Sequence, residues 1–357
     1  MVNETMSNRL VSPLMSESHA GSRAFITDID GLFPTADEAA FLRDTRPFGL
    51  ILFARNIAEP AQVADLCAQF RDLVGREHAP VLVDQEGGRV QRLKPPVWRQ
   101  HPPARAVGDL YEADPERGLR AAWLHGRSIA AELAAVGIDV DCLPCLDIPV
   151  AGAHDVIGMR AFSSDLASVV ALAGAQVDGL VAGGVSPVIK HMPGHGRADA
   201  DTHHGLPRVD ASLADLAEQD HAAFAPFADA PYAMTAHVVQ EAVDPDHPAT
   251  QSAKVIETIV REVIGFAGLL MTDDLSMEAL SGPHADRARA SLDAGCDVVL
   301  HCNASFEDRR AVAEVAPLLD GSSLQRANRA VRPAVMPFDA DAGFEELEAL
   351  LSRVAVA

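Results

Sequence analysis

The chain has 357 residues and 37.8 kDa, 48% hydrophobic and 22% charged. That composition is globular and excludes a mainly disordered chain, which lacks the apolar area to offset chain entropy. Its 29 Lys and Arg stand against 51 Asp and Glu, a formal charge of −22, and a field of that sign repels phosphate backbones and anionic lipid. No nucleic acid and no membrane is therefore expected as a partner, although a local cationic pocket remains allowed.

In chain order, the first twenty residues are rich in Ser, Asn and Glu and lack a sustained apolar run. They do not read as a secretory signal, and a flexible N-terminus is expected over residues 1–22. Short apolar runs follow at 24–27, 50–53, 81–83, 139–143, 187–189, 233–235, 268–271 and 297–300. Each is too short for a helix and has turn or polar residues nearby, as buried strands do. Amphipathic segments occupy 35–44, 61–74, 116–135, 165–182, 212–227, 252–264, 284–294 and 306–319. This alternation predicts an α/β fold, a single-domain (β/α)8 TIM-type barrel over 23–335. Residues 336–357 are expected to form a helical extension packed on it. An open doubly wound sheet is the alternative, but no GxGxxG follows an early strand. The longest insertion, 83–139, carries Lys94-Pro95-Pro96 and His101-Pro102-Pro103 and reads as an irregular excursion. The most apolar stretch, 169–185, is interrupted by Gln176 and Asp178, which argues against a membrane span. Five cysteines do not make a disulfide framework in a chain of this size. Cys142 and Cys145 form a lone CxxC and read as small buried residues at a strand end rather than a redox or zinc half-site. A cytoplasmic protein is expected.

Barrels place their chemistry at the C-terminal ends of the strands. Here those ends carry Arg55-Asn56, Asp84-Gln85-Glu86, Asp147, Lys190-His191, His237, Asp273-Asp274 and His301-Cys302-Asn303. Polar side chains directly after buried runs are costly unless something uses or pairs them, so their recurrence points to one shared site. In Val83-Asp84-Gln85-Glu86-Gly87-Gly88-Arg89-Val90-Gln91-Arg92, the glycine pair permits a sharp turn. Asp84 can accept from substrate hydroxyls while Arg92 donates; the alternative is an internal Asp–Arg or Glu–Arg pair that only shapes the loop. A second motif runs from Lys190 to Pro207 and holds four His, two Asp and a Lys. His191 and His195 have the spacing of a helical zinc pair, but Pro193-Gly194 breaks such a helix. The glycines and prolines suit a long loop over the barrel mouth, in which Asp201 can raise the pKa of His203 and fix its tautomer for acid/base work. In Met271-Thr272-Asp273-Asp274, Asp273 is placed to attack an anomeric carbon, or else caps a helix. Asp274 is expected to cap or pair locally.

Together these motifs resemble the family 3 glycoside hydrolases, and more narrowly the bacterial single-domain β-N-acetylglucosaminidases of peptidoglycan recycling. The matching stretches are GLILFARNI at 49–57, VDQEGGRVQRL at 83–93, 143–150 around Asp147, IGMRAFSSD at 157–165, 190–207, MTAHV at 234–238, MTDDLSM at 271–277 and 294–303. The resemblance implies that Asp273 is the nucleophile of a covalent glycosyl-enzyme, His203 the acid/base and Asp201 its dyad partner. It implies that Asp84, Arg92, Arg160, Lys190 and His191 hold a terminal N-acetylglucosamine. Met192 stands where Phe is usual, Met159 where a polar residue is common, and Cys142-Leu143-Pro144-Cys145 replaces an Asn-Phe-Ala-Pro-like run. The expected reaction is hydrolysis of GlcNAc-1,6-anhydro-MurNAc, with or without peptide, by a monomer that uses no metal and no cofactor. Three rivals remain open at this stage. One is a metal-dependent hydrolase using His191, His195, His203, His237 and an Asp. Another is a glycan-binding protein without catalysis. The third is a β-glucosidase, a type that usually has further domains after the barrel.

Overall fold

The apolar runs become eight strands: β1 (Arg23–Thr27), β2 (Pro47–Leu52), β3 (Val81–Val83), β4 (Val140–Asp141), β5 (Ser186–Met192), β6 (Tyr232–Thr235), β7 (Leu269–Asp274) and β8 (Val298–Leu300). All pair in parallel and close in the order β1-β8-β7-β6-β5-β4-β3-β2. This computed structural model describes residues 18–152, 154, 156–198, 205–330 and 334–352. Successive side chains point to opposite faces of each strand. Ile26, Ile51, Leu82, Val188, Met234, Met271 and Val298 thus share one cluster, the barrel interior. Phe25, Leu50, Val81 and Val299 face outward under the helices, as do Ile189, Ala233 and Leu270 on the other flank. The fold is the expected single-domain (β/α)8 barrel.

The helices are α1 (Ala36–Thr45), α2 (Pro60–Val74), α3 (Ala104–Ala113), α4 (Pro115–Ala135), α5 (Leu166–Ala182), α6 (His284–Asp293), α7 (Phe306–Val315), α8 (Gly321–Arg329) and α9 (Ala340–Ser352). Several starts follow local chemistry: Thr35 and Glu38 form a capping box, and Asp114, Asp165 and Ser305 cap their helices through side-chain oxygens. The segment 212–227 is not one continuous helix. It passes through π-helical turns at Leu216–His221 and a 3-10 turn at Ala225–Phe227, where Pro226 cannot donate a helical bond. Val255–Val263 also winds as a π-helix. The run expected to reach 319 stops at Val315, before Pro317. Within the segment expected to be flexible, His19 and Ser22 are buried. His19 is buried against Phe48, with ring centroids 5.0 Å apart, and lies 2.9 Å from Arg76. Residues 1–17 lie outside the described part. α9 buries Phe344 and Leu347 in the same cluster as Val107 and Leu110 of α3.

The excursion after β3 is more ordered than its prolines suggest. Gln85–Gly87 and Val90–Gln91 form an antiparallel hairpin, and α3 follows. Gly87 has φ +88°, and a Cβ there would sit 2.2 Å from the Pro102 carbonyl oxygen. The proline-rich return run therefore clamps the hairpin that carries Asp84 and Glu86. Gly87→Ala is expected to destabilise the protein by about 2–4 kcal/mol, combining strain at positive φ with overpacking. Gly75, at φ +66° with nothing within 4 Å of a new Cβ, should cost only about 1–2 kcal/mol on the same change. Chemical denaturation of both variants checks the contrast; equal losses would mean that the Pro102 contact does not clamp the turn.

Candidate active site

The six described residues singled out in the sequence converge. Asp84, Arg92, Arg160, Lys190, His191 and Asp273 all line one cleft of about 640 Å3 at the C-terminal mouth of the barrel. Its floor is apolar at Ile51, Met234 and Leu300. Asp201 and His203 lie outside the described residues. Lys190 and His191 belong to β5 itself, and Asp273 to β7, so these side chains ride on the sheet rather than on a loop.

Lys190 organises one wall. It is 1% exposed, and its Nζ lies 3.0 Å from Asp84 Oδ1 and 2.6 Å from Glu86 Oε1. Arg92 Nη2 donates to the other Asp84 oxygen at 2.9 Å. Arg160 grips Glu86 with two bonds, Nε at 2.9 Å and Nη2 at 2.7 Å. Burial would raise both carboxyls, but Lys190 and Arg92 hold Asp84 far below the usual range, and Arg160 and Lys190 hold Glu86 at about 2. Burial would lower Lys190, but Asp84 and Glu86 raise it above its ordinary value.

The opposite side holds Asp273. Burial would raise its carboxyl, yet it stays below the usual carboxylate range through His191, His237, the Asp274 N–H at 2.8 Å and Lys190. Asp274 also lines the cleft, but its carboxyl pairs locally, as expected. It accepts from Ser276 N and Oγ, Cys302 N and Asn303 Nδ2. His237 Nε2 donates to the Asp274 carbonyl at 3.0 Å, and Nδ1 meets Thr250 Oγ1 at 2.7 Å. Burial lowers its pKa, and the ring braces the strand end through both nitrogens.

Glu86 and Asp147, strand-end residues to which the sequence assigns no individual role, both find partners in the site. Glu86 pairs with Arg160, 74 positions away. Asp147 accepts from His191 Nδ1 at 2.6 Å. A third group, Asp141, is fully buried at the end of β4. Its Oδ1 accepts from Gln85 N at 3.0 Å, and its Oδ2 has no hydrogen-bond partner among the described residues. Burial pushes its carboxyl up to about 8, with Asp84 and Glu86 adding to the shift against Lys190.

Cys142 and Cys145 are free and buried. Among the described residues, Cys145, Asp147 and His191 offer ligand atoms within 4.8 Å of one another. These atoms already bond to each other, and burial raises the Cys145 thiol well above its usual value. His195 is brought near His191, but His237 has both ring nitrogens bonded elsewhere, which does not favour the multi-histidine metal site. Met192 packs in the core, and Met159 is exposed beside Arg160. No helix among the described residues is long and apolar enough to cross a membrane.

The profile of the glycosyl hydrolase family 3 N-terminal domain matches residues 25–332. The chain belongs to glycosyl hydrolase family 3. A β-hexosaminidase of Pseudomonas aeruginosa strain LESB58 is 40% identical over 308 residues, covering 85% of this chain and 90% of that one. A β-hexosaminidase of Bordetella parapertussis strain 12822 is 40% identical over 284 residues, 78% of this chain and 79% of its own. NagZ from Neisseria gonorrhoeae, in complex with N-trifluoroacetyl-D-glucosamine, superposes with a TM-score of 0.84 at 33% identity, covering 96% of this chain and 100% of that one. This family 3 chain is thus an enzyme, a glycoside hydrolase that groups with the β-hexosaminidases.

The site of this family 3 enzyme makes a pH prediction. An unfolded Asp141 ionises near 3.8, whereas the folded one keeps its proton to about 8. Between those values the folded state binds more protons, so this residue's contribution to stability falls as pH rises from about 4 to 8. Asp141→Asn cannot titrate. The variant should therefore gain stability relative to the parent across that window, as read by denaturation at pH 5, 6.5 and 8. A difference that does not change with pH would show that the carboxyl is not held neutral.

Proposed function

We propose that the protein is a retaining exo-β-N-acetylglucosaminidase. It releases terminal non-reducing β-1,4-linked GlcNAc from muropeptides, GlcNAc-1,6-anhydro-MurNAc with or without peptide, in cell-wall recycling. The carrying observation is one cleft in which the ionised Asp273 faces a wall of matched donors and acceptors, Asp84, Arg92, Arg160, Lys190 and His191. The bound N-trifluoroacetyl-D-glucosamine of the gonococcal relative supports a GlcNAc-type sugar there. The proposal includes action as a monomer in the cytoplasm.

In the first step an Asp273 oxygen attacks the anomeric carbon and the glycosidic C–O bond breaks. His203, oriented by Asp201, gives its proton to the leaving oxygen. In the second step neutral His203 takes a proton from water, whose oxygen attacks the same carbon and frees the Asp273 carboxylate. Two inversions give net retention. Most retaining glycosidases use two carboxylates about 5–5.5 Å apart. An imidazole with a pKa near ~6.5 needs only a modest upward shift from Asp201 to serve as the acid instead. Asp84 accepts from sugar hydroxyls, while the arginines and Lys190 donate to hydroxyls and the acetamido group.

Turnover of aryl β-GlcNAc beside aryl β-glucoside, with the first-formed anomer followed by NMR, tests the reading. GlcNAc released first as the β-anomer, with little glucoside turnover, is expected; the α-anomer would overturn retention. Asp273→Ala should abolish turnover of every substrate. His203→Ala should cost about 10²–10⁴-fold on poor leaving groups and far less on activated aryl glycosides. Equal losses on both classes would remove His203 from the acid role.

A further inference from the structure

Behind His191 lies a carboxylate outside the proposed sugar contacts, Asp147. His191 is buried, and both ring nitrogens have partners. Arg160 Nη2 lies 3.3 Å from Nε2, and Asp147 Oδ2 lies 2.6 Å from Nδ1. A guanidinium only donates. His191 Nε2 must therefore accept from Arg160, which puts the ring proton on Nδ1, facing Asp147. Asp147 itself is 1% exposed. Its Oδ2 also accepts from Cys145 Sγ at 3.2 Å, and its Oδ1 accepts from His191 N at 3.3 Å and His195 N at 2.7 Å. Every one of these donors belongs to the cleft wall or to the chain immediately beside it. Burial pushes this carboxyl up, but the bonds from the His191 ring and the His195 N–H help hold it far below the usual range, so it acts purely as an acceptor.

We propose that Asp147 is a positioning residue, which fixes the Nδ1–H tautomer of His191 and thereby the acceptor nitrogen that His191 presents to Arg160 and the cleft. The value of this for catalysis rests on the sugar-binding role proposed above for His191 and Arg160. The tautomer does not. The chain of dependence runs from Asp147 through His191 to Arg160, which Glu86 holds from its other side. An amide in place of the Asp147 carboxylate keeps an acceptor for the two backbone N–H groups. It can also turn a donor toward Nδ1. The ring proton then moves to Nε2 and confronts the Arg160 N–H. A wrong histidine tautomer behind intact geometry can cost orders of magnitude in rate.

The test uses the full chain labelled with 15N-histidine. The ring nitrogen shifts of His191, assigned by comparison with His191→Gln, should report a protonated Nδ1 and a bare Nε2 in the parent enzyme. A proton on Nε2 would overturn the proposal with no variant needed beyond the one used for assignment. Asp147→Asn should move that proton to Nε2. It should also lower kcat/KM for aryl β-GlcNAc by about tenfold or more, as loss of an orienting partner does elsewhere. The same change made in a His191→Ala background should cost less than about twofold, because a positioning effect acts through the ring it positions. Equal losses in both backgrounds, or an unmoved tautomer in Asp147→Asn, would reduce Asp147 to a packing role. A parent enzyme with no turnover of aryl β-GlcNAc would overturn the proposed function while the tautomer measurement still decided the inference.

Discussion

The Lys190 ammonium, held between Asp84 and Glu86, is the interaction on which the rest of the site depends. A charge this deeply buried survives only when it is paired and hydrogen-bonded, because desolvation costs several kcal/mol per ion. Asp84 and Glu86 satisfy it, and each of them in turn requires a second cation, Arg92 and Arg160. Removing Lys190 strips both buried carboxylates of one cation at once, and removing Glu86 leaves Arg160 without its paired carboxylate. The wall is therefore a coupled unit rather than a set of independent contacts. The sheet delivers it with little freedom. Lys190 comes from β5, Asp84 and Glu86 from the β3 hairpin clamped by Pro102, and Arg160 from the 3-10 turn Gly158–Arg160.

Charge balance connects this wall to the chemistry. Lys190, Arg92 and Arg160 face Asp84 and Glu86, so the wall alone carries an excess of one positive charge. Asp273 in the same cleft is one of the carboxylates that answer this excess, and Lys190 helps hold its carboxyl low. Asp141 responds to the same field. A further anion beside Asp84 and Glu86 would be repelled by both, and burial together with those two carboxylates pushes its carboxyl up.

Much of the fold was legible because parallel barrel strands are buried on both faces and read as short continuous apolar runs. Their C-terminal ends were less legible for the same reason. β5 continues through Lys190 and His191, and β7 through Asp273 and Asp274, where polar residues end the apolar pattern although the ladder goes on. The helix at Ala104–Ala113 was hidden by flanking prolines and by Gly108, a poor helix former. That glycine is there because a Cβ would lie 1.8 Å from the Phe162 carbonyl oxygen. In the site, strand-end position was enough to nominate Asp84, Glu86, Asp147, Lys190, His191 and Asp273, and the motif itself suggested Asp84 and Arg92 as sugar contacts. The roles of Arg160, Lys190 and His191 came from family resemblance. Glu86 and Asp147 had no individual role, because no sequence spacing signals pairing with Arg160 at 74 positions or with His191 at 44.

On the proposed mechanism, the same charge balance bears on the second half of the reaction. Attack by Asp273 converts its carboxylate to an ester and removes one negative charge from the cleft. The wall cations then lose one of the carboxylates that they face beside the intermediate. A low-dielectric site feels such a change strongly. It favours any step that restores the carboxylate, which is hydrolysis of the glycosyl-enzyme. The cations that bind the sugar would thus also disfavour accumulation of the covalent intermediate. The lowered carboxyl pKa of Asp273 expresses the same preference in the resting enzyme: the site is built to hold that group as an anion.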